Sequence, residues 1–407
     1  MAAQQKRRPK DTGPSAVPSY RLRRWVLLGL MGLACVSLAW ASVVRQVFET
    51  DFLQQEGANR YLRVLEMPAH RGMILDRRGE PLAISTPMDT VAGDPRELSA
   101  DLGALAPLAE ALEMDVRVLR ARLAERSDRH FLFLKRRVAP EMAARVRALE
   151  IPGVENIKEY RRYYPSGEVM AHIVGITDID DRGREGLELA YEDWLRGTPG
   201  RKRVLRDGKK RVVADVESIR EPRPGRDLRI SVDRRLQFLA YRELKATVQQ
   251  HKAKGGSVVI LDARTAEILA MASQPAYNPN GNRADLRTAA RNRGLLDRIE
   301  PGSTMKPFAV AAALELGLFS PDTPVDTSPG VMSVGGETIR DHRDYGLLDV
   351  SGVIRKSSNV GAAKIALTLP KEPYWELLRA LGFGVATGTG FPAEAGGILR
   401  PPQQWAR

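Results

Sequence analysis

The stretch Glu300-Pro-Gly-Ser-Thr-Met-Lys-Pro-Phe-Ala-Val-Ala-Ala-Ala-Leu-Glu-Leu316 decides how the second half of this chain reads. Pro301-Gly302 marks a turn, and the apolar run behind it predicts a helix over Ser303 to Leu316. Ser303 then lies at or near the helix N-terminus, with Lys306 one turn later on the same face. A serine hydroxyl is a weak nucleophile and needs a base beside it. A lysine serves when its neutral form is favoured, as desolvation and the positive end of a helix dipole both do. The same helix end stabilises negative charge developing near Ser303. Ser303 and Lys306 are therefore candidates for nucleophile and base. Alone the spacing is a weak signal, because a chain this long should hold about one Ser-x-x-Lys by chance. The bland alternative is a capping serine and a solvated lysine.

A second element lies downstream. Lys356-Ser-Ser-Asn-Val360 lies just before a small-residue stretch, in a region where a helix is expected over Val353 to Leu367. A hydroxyl (Ser357) and a carboxamide (Asn359) two residues apart on a loop can point into one cleft, relaying a proton and holding a peptide amide. Ser and Asn also build ordinary turns and caps. Further helices are expected over Pro373 to Leu381 and, capped by Asp233, through about Gln250. Gly256 to Asp262 and Glu267 to Ser273 read as a hairpin of Val, Ile, Leu and Ala. A hairpin with helices packed on it predicts an α/β sandwich. The Pro/Gly-rich break Glu221-Pro-Arg-Pro-Gly-Arg-Asp227 is the expected domain boundary.

The region before that break mixes strands, turns and helices. Leu102 to Arg126 carries Leu105, Leu108, Leu112, Val116, Leu119 and Leu123 at helical spacing and predicts one amphipathic helix. Arg71-Gly-Met-Ile-Leu-Asp-Arg-Arg-Gly79 reads as strand, tight turn and strand, a structural hairpin on its chemistry alone. His70 and His172 read as ordinary hydrogen-bonded histidines.

Near the N-terminus, Trp25 to Val44 is a run of twenty residues without a charge. Such a helix is about 30 Å long, the thickness of a bilayer's hydrocarbon core. Basic residues precede it, so the positive-inside rule places the N-terminus in the cytoplasm and the rest outside. Ala39-Trp40-Ala41 resembles a cleavage site, but the apolar run is longer than a usual signal core. The chain has a net charge of +13, of which +6 lies in the first fifty residues. No zinc-finger spacing and no aromatic ribonucleoprotein signature accompanies that charge, so nucleic acid is not an expected partner. The single cysteine, Cys35, excludes an intramolecular disulfide and a cysteine-based zinc site, and reads as a small buried apolar residue.

Ser303-Thr-Met-Lys306 followed by Ser357-Ser-Asn359 resembles the first two active-site motifs of penicillin-binding proteins and class A β-lactamases. Arg71-Gly-x-Ile-x-Asp-Arg-x-Gly79 resembles the start of the non-catalytic pedestal of class B penicillin-binding proteins. Arg162-Tyr-Tyr-Pro-Ser-Gly167, with Ala171-His172 and Gly186-Leu-Glu188, resembles a later part of it. Asn359 and the Glu300–Pro307 segment resemble the septal, FtsI-like branch. The resemblance implies a chain of mixed α/β (α+β) class with four regions. They are a cytoplasmic tail (1–24), a transmembrane helix (25–44), a pedestal (45–225) and a transpeptidase domain of α/β-sandwich form (226–407).

The resemblance further implies a D,D-transpeptidase of the bacterial inner membrane, its catalytic domain extracytoplasmic. Ser303 would attack the penultimate D-alanine of a stem peptide ending in D-Ala-D-Ala, and Lys306 would activate it. Ser357 would relay the proton to the leaving amine, and Asn359 would hold the donor. β-Lactams would acylate Ser303, no metal or organic cofactor is required, and an FtsW-type glycosyltransferase is the implied division partner. The family's third motif, Lys-Thr/Ser-Gly, is not found. Ala386-Thr-Gly-Thr389 lacks the lysine, so the transpeptidase domain is expected to be truncated at its C-terminus. That keeps open a non-catalytic division scaffold. A membrane-linked β-lactam sensor or β-lactamase is disfavoured by the large pedestal-like region.

Overall fold

The computed structural model describes residues 20–48, 62–100, 103–206, 212–281 and 289–405. They form two compact units. The first holds the helix Arg21–Val43, continued by a π-helical turn over Val44–Phe48, and most of a three-stranded sheet. The charge-free run drives that helix. It is long and apolar enough to cross a membrane, and none of its residues is buried in the protein. Cys35, expected to be buried, is instead exposed on this helix, none of whose residues is buried among the described residues. The cytoplasmic tail expected before it lies almost wholly outside the described residues.

The second unit is of mixed α and β structure. Its N-terminal part is organised by one long strand, Pro81–Gly93, which pairs antiparallel with Val154–Tyr163 along most of its length and with Leu132–Val138 on its other edge. The expected hairpin forms: Ile74–Leu75 pairs with the long strand through a turn in which Asp76 Oδ1 accepts from the Arg78 and Glu80 backbone amides. Ile74–Leu75 also pairs in parallel with Leu228–Arg229. Gly72 is required here by close approach, since a Cβ on it would meet the Arg226 carbonyl oxygen at 2.0 Å.

The helix expected over Leu102 to Arg126 is two helices, Leu105–Ala111 and Val116–Ala124. Glu113 takes a left-handed φ of 52°, and Asp115 caps a new helix by accepting from the Arg117 amide. A carboxylate competing for backbone donors ends one helix and starts another, which apolar spacing does not reveal. The apolar pattern itself holds: Leu105, Leu108, Leu112, Leu119 and Leu123 are all buried in one core with Val91, Leu134 and Met142.

Beyond the Pro/Gly-rich segment, the helix Arg234–Gln250 begins where expected, with Asp233 Oδ1 accepting from the Arg235 and Leu236 amides. It packs on the antiparallel hairpin Gly256–Leu261 and Ile268–Gln274. Val258 and Ile260 face that helix, whereas Val259 and Leu261 point to the exposed side, as the two-residue period of a strand requires. The C-terminal core brings together Lys306–Glu315, Val350–Lys356 and Asn359–Thr368 through Ala309, Ala313, Val353 and Ile365. Small residues on these helices let the backbones approach closely. The helix expected over Pro373 to Leu381 is Lys371–Ala380.

Candidate active site

Ser303 stands in a single 3-10 turn, Gly302–Met305, that leads into the α-helix starting at Lys306. It is thus one turn ahead of the α-helix rather than within it. Gly302 adopts a φ of 60°, open to glycine without strain, and lets the chain turn into that segment. The Ser303 side chain is exposed and its hydroxyl makes no hydrogen bond among the described residues. Lys306 is half-buried at the start of the helix.

The second motif departs from the expected continuous helix. The segment breaks at Ser357, which takes a left-handed conformation (φ 54°, ψ 38°), and restarts at Asn359. Ser358, fully buried, caps the new helix by accepting from the Gly361 amide and donates its hydroxyl to Asp341. The break turns the second motif toward Lys306. The lysine Nζ donates to Asn359 Oδ1 at 2.6 Å, to the Ser357 carbonyl at 2.6 Å and to Ser357 Oγ at 3.2 Å. Asn359 Nδ2 donates to the Arg340 carbonyl at 2.7 Å, which fixes its amide so that the oxygen faces the lysine. Three of the four expected residues therefore converge through hydrogen bonds. The fourth, Ser303, sits one turn away with a free hydroxyl.

Desolvation lowers the Lys306 pKa from the ordinary lysine value, against an opposing pull from the Asp341 carboxylate. That raises the fraction of neutral amine, the form able to accept a proton. Asp341 was missed by sequence reasoning. It accepts from the Ser358 hydroxyl and from the Asn359 and Val360 amides, so it anchors the N-terminus of the second-motif helix. Its position sixteen residues before Ser357 carries no local signal; only the fold of the Glu337–Arg340 strand brings it there.

A second ionic centre lies in the N-terminal part of the unit. Glu188 accepts from Arg71 Nε and Arg162 Nε, each at 2.7 Å, and all three side chains are almost wholly buried. These are the residues through which the sequence resembles a pedestal. His172 and His70 each bond a backbone carbonyl, of Ala289 and Ser85 respectively, as expected of ordinary histidines.

Residues 66–230 match the family model of the penicillin-binding protein dimerisation domain, and residues 256–407 that of the penicillin binding protein transpeptidase domain. A probable peptidoglycan D,D-transpeptidase, PbpC, of Pseudomonas aeruginosa is 40% identical over 94% of this chain and 67% of its own length. The chain belongs to the penicillin-binding protein family. The peptidoglycan D,D-transpeptidase FtsI of Escherichia coli is 39% identical over 94% of this chain and 65% of its own length. The probable peptidoglycan D,D-transpeptidase PenA of Neisseria meningitidis is 42% identical over 88% and 62%. The chain thus spans about two thirds of the length of these curated relatives.

Among solved structures, a peptidoglycan synthetase from Bifidobacterium adolescentis superposes with a TM-score of 0.62 at 26% identity, covering 85% of this chain and 68% of that one. Penicillin binding protein 3 of Mycobacterium tuberculosis, complexed with ampicillin, gives 0.59 at 26% identity, covering 84% and 58%. The α+β fold of this penicillin-binding protein is the one its sequence predicted. Family and apolar N-terminal helix together indicate a membrane-anchored protein.

Proposed function

We propose that this protein is a septal peptidoglycan D,D-transpeptidase that works through an acyl-enzyme on Ser303. The observation that carries the proposal is the contact of Lys306 Nζ with Ser357 and Asn359, one turn from the free hydroxyl of Ser303. The names of its relatives support the reaction class, and the FtsI relative supports the division role. In the proposed reaction, Ser303 Oγ adds to the carbonyl carbon of the penultimate D-alanine and its proton passes to Lys306. The tetrahedral adduct collapses, the C–N bond breaks, and terminal D-alanine leaves with a proton relayed by Ser357. Asn359 holds the donor peptide. An amine of a neighbouring strand then attacks the ester, forming the cross-link and returning the proton to Ser303.

A β-lactam would enter the same path, opening its ring on Ser303 without losing a leaving group. We place the membrane helix at 25–44, the pedestal at 45–225 and the transpeptidase domain at 226–407, with the N-terminus cytoplasmic and the catalytic face outside the inner membrane. An FtsW-type glycosyltransferase is the proposed division partner.

Labelling with a fluorescent penicillin tests the reading, on this chain and on a version extended to the length of its relatives. Covalent label on the extended protein that vanishes in Ser303→Ala is the expected result. A folded extended protein that takes no label would overturn it.

A further inference from the structure

Ser357 and Asn359 both meet Lys306 Nζ, while Ser358 between them is 0% exposed and bonds to neither Lys306 nor Ser303. In an uninterrupted helix, residues two apart point about 200° away from one another and share no face. Were the segment one helix from Val350 to Thr368, Ser357 and Asn359 could not reach the same amine. The break between the helices Val350–Lys356 and Asn359–Thr368 is therefore a condition of the site.

That break carries strain. Ser357 takes a left-handed backbone (φ 54°, ψ 38°), which a residue with a Cβ keeps only where its surroundings hold it there. The segments on both sides are helical, so joining them is the local alternative.

The bonds that hold the break gather on Ser358. Its amide donates to the Val353 carbonyl at 3.0 Å and closes the first helix. Its Oγ accepts from the Gly361 amide at 2.8 Å and opens the second. Both are bonds of the kind found at ordinary helix boundaries. The third bond is not local: the hydroxyl donates to Asp341 Oδ2 at 2.6 Å. Asp341 follows the strand Glu337–Arg340, and its other oxygen accepts from the Asn359 and Val360 amides. A hydroxyl bonded to a carboxylate is charge-assisted and stronger than a neutral pair. It ties the corner between the two active side chains to a strand outside the helices.

We propose that Ser358 is a positioning residue for acylation, its bond to Asp341 maintaining the left-handed turn through which Ser357 and Asn359 both meet Lys306. The inference rests on the reading of Ser303 as the acylated residue.

The test is stopped-flow acylation by a β-lactam across concentration, on the chain extended to the length of its relatives, each variant at the pH of its maximal rate. Ser358→Ala is expected to lower the limiting rate about tenfold, with the half-saturating concentration changed by less than about threefold. Asp341→Ala removes the other end of the bond and the amide acceptor as well, so it should lose at least as much. The double variant should lose no more than Asp341→Ala alone, because the two residues act through one bond. Asp349→Ala removes a cap from the preceding helix, where Asp349 accepts from the Gly352 amide, and should acylate like the unaltered protein. Melting temperatures identify the folded variants. Should Ser358→Ala not fold, Asp341→Asn tests the same bond: it keeps an oxygen for the two amides but turns a donor toward the hydroxyl, and its limiting rate should also fall.

An unchanged limiting rate in folded Ser358→Ala, or in Asp341→Asn where that variant stands in, overturns the inference. So do losses that multiply in the double variant, and so does an equal loss in Asp349→Ala, which would make the effect one of general stability. An unaltered extended protein that is not acylated overturns the Ser303 reading, and the inference with it.

Discussion

Arg71 and Glu188, 117 positions apart in sequence, are joined by an ion pair of 2.7 Å with side-chain exposures of 1% and 0%. The same carboxylate also accepts from Arg162, and the Glu188 carbonyl accepts from Arg71 Nη2. Glu188 thus bridges two buried guanidinium groups, with Glu192 supplying a second carboxylate to Arg71 Nη1 at 2.8 Å, and closes the N-terminal sheet onto the helix Gly186–Ala190. Breaking a buried pair from one side leaves uncompensated charge. Glu188→Gln is therefore expected to destabilise this region by about 3–5 kcal/mol, read from the urea midpoint. A loss below about 1 kcal/mol would mean that water reaches the guanidinium groups and pairs them at little cost.

Lys306 sets the expected pH dependence of acylation. The proposed base must be neutral, so the rate of β-lactam acylation should rise with pH through the Lys306 pKa. Burial lowers that pKa, so the midpoint should fall below the ordinary lysine value of about 10.4. The Asp341 carboxylate pulls the other way. Asp341→Asn removes that pull while keeping an oxygen to accept from the second-motif amides, so the midpoint should move lower still. Stopped-flow acylation across pH checks this, and a midpoint that stays or rises in Asp341→Asn counts against Lys306 as the base.

Glu394 orders the glycine-rich segment near Thr387. Its carboxylate accepts from the amides and hydroxyls of both Thr387 and Thr389. Burial works against the charged form, but these donors outweigh it and hold the pKa at about 2. A lowered carboxylate pKa means stability that is present above the unfolded value, near 4.5, and lost as pH falls toward about 2. Protection of the Thr387 and Thr389 amides, taken relative to their intrinsic exchange rate at each pH, should therefore fall over that window and be low at every pH in Glu394→Ala. Protection that does not change with pH in the unaltered chain would remove the carboxylate from this account.

Two glycines of the Arg71–Gly79 segment should respond differently to substitution. A Cβ on Gly72 collides with the Arg226 carbonyl, a backbone atom that cannot swing aside. Gly72→Ala should cost about 3 kcal/mol or more. Gly79 has a φ of 88° but open space around it, so Gly79→Ala should cost only the backbone strain of about 1–2 kcal/mol. Equal melting temperatures for the two variants would contradict the close approach.

Much of the scaffold was legible because it rests on local chemistry. Asp233 caps its helix because a carboxylate before an apolar-periodic run pairs the first amides wherever the segment sits. The hairpin from Gly256 to Gln274 follows from two short apolar runs of Val, Ile, Leu and Ala on either side of a turn. The break inside the predicted helix at Val353 to Leu367 was not legible. Ser357 and Ser358 are compatible with a helix interior, and the left-handed turn at Ser357 goes with two bonds to groups distant in sequence: Lys306, on another helix, donates to Ser357, and Ser358 donates to Asp341, just past the strand Glu337–Arg340.

What the sequence by itself determined is the set of candidates: Ser303, Lys306, Ser357 and Asn359, an apolar span, and the elements that carry them. Those depend on spacing and side-chain type, which act over one or two turns. The tertiary structure alone decided which groups meet. It turned Asn359 Oδ1 onto Lys306, placed Asp341 at the head of the second-motif helix, and buried Arg71, Arg162 and Glu188 together. Such contacts join residues up to 117 positions apart. Their energies come from desolvation and from the pairing of charges inside the fold, and neither exists until the chain has closed around them.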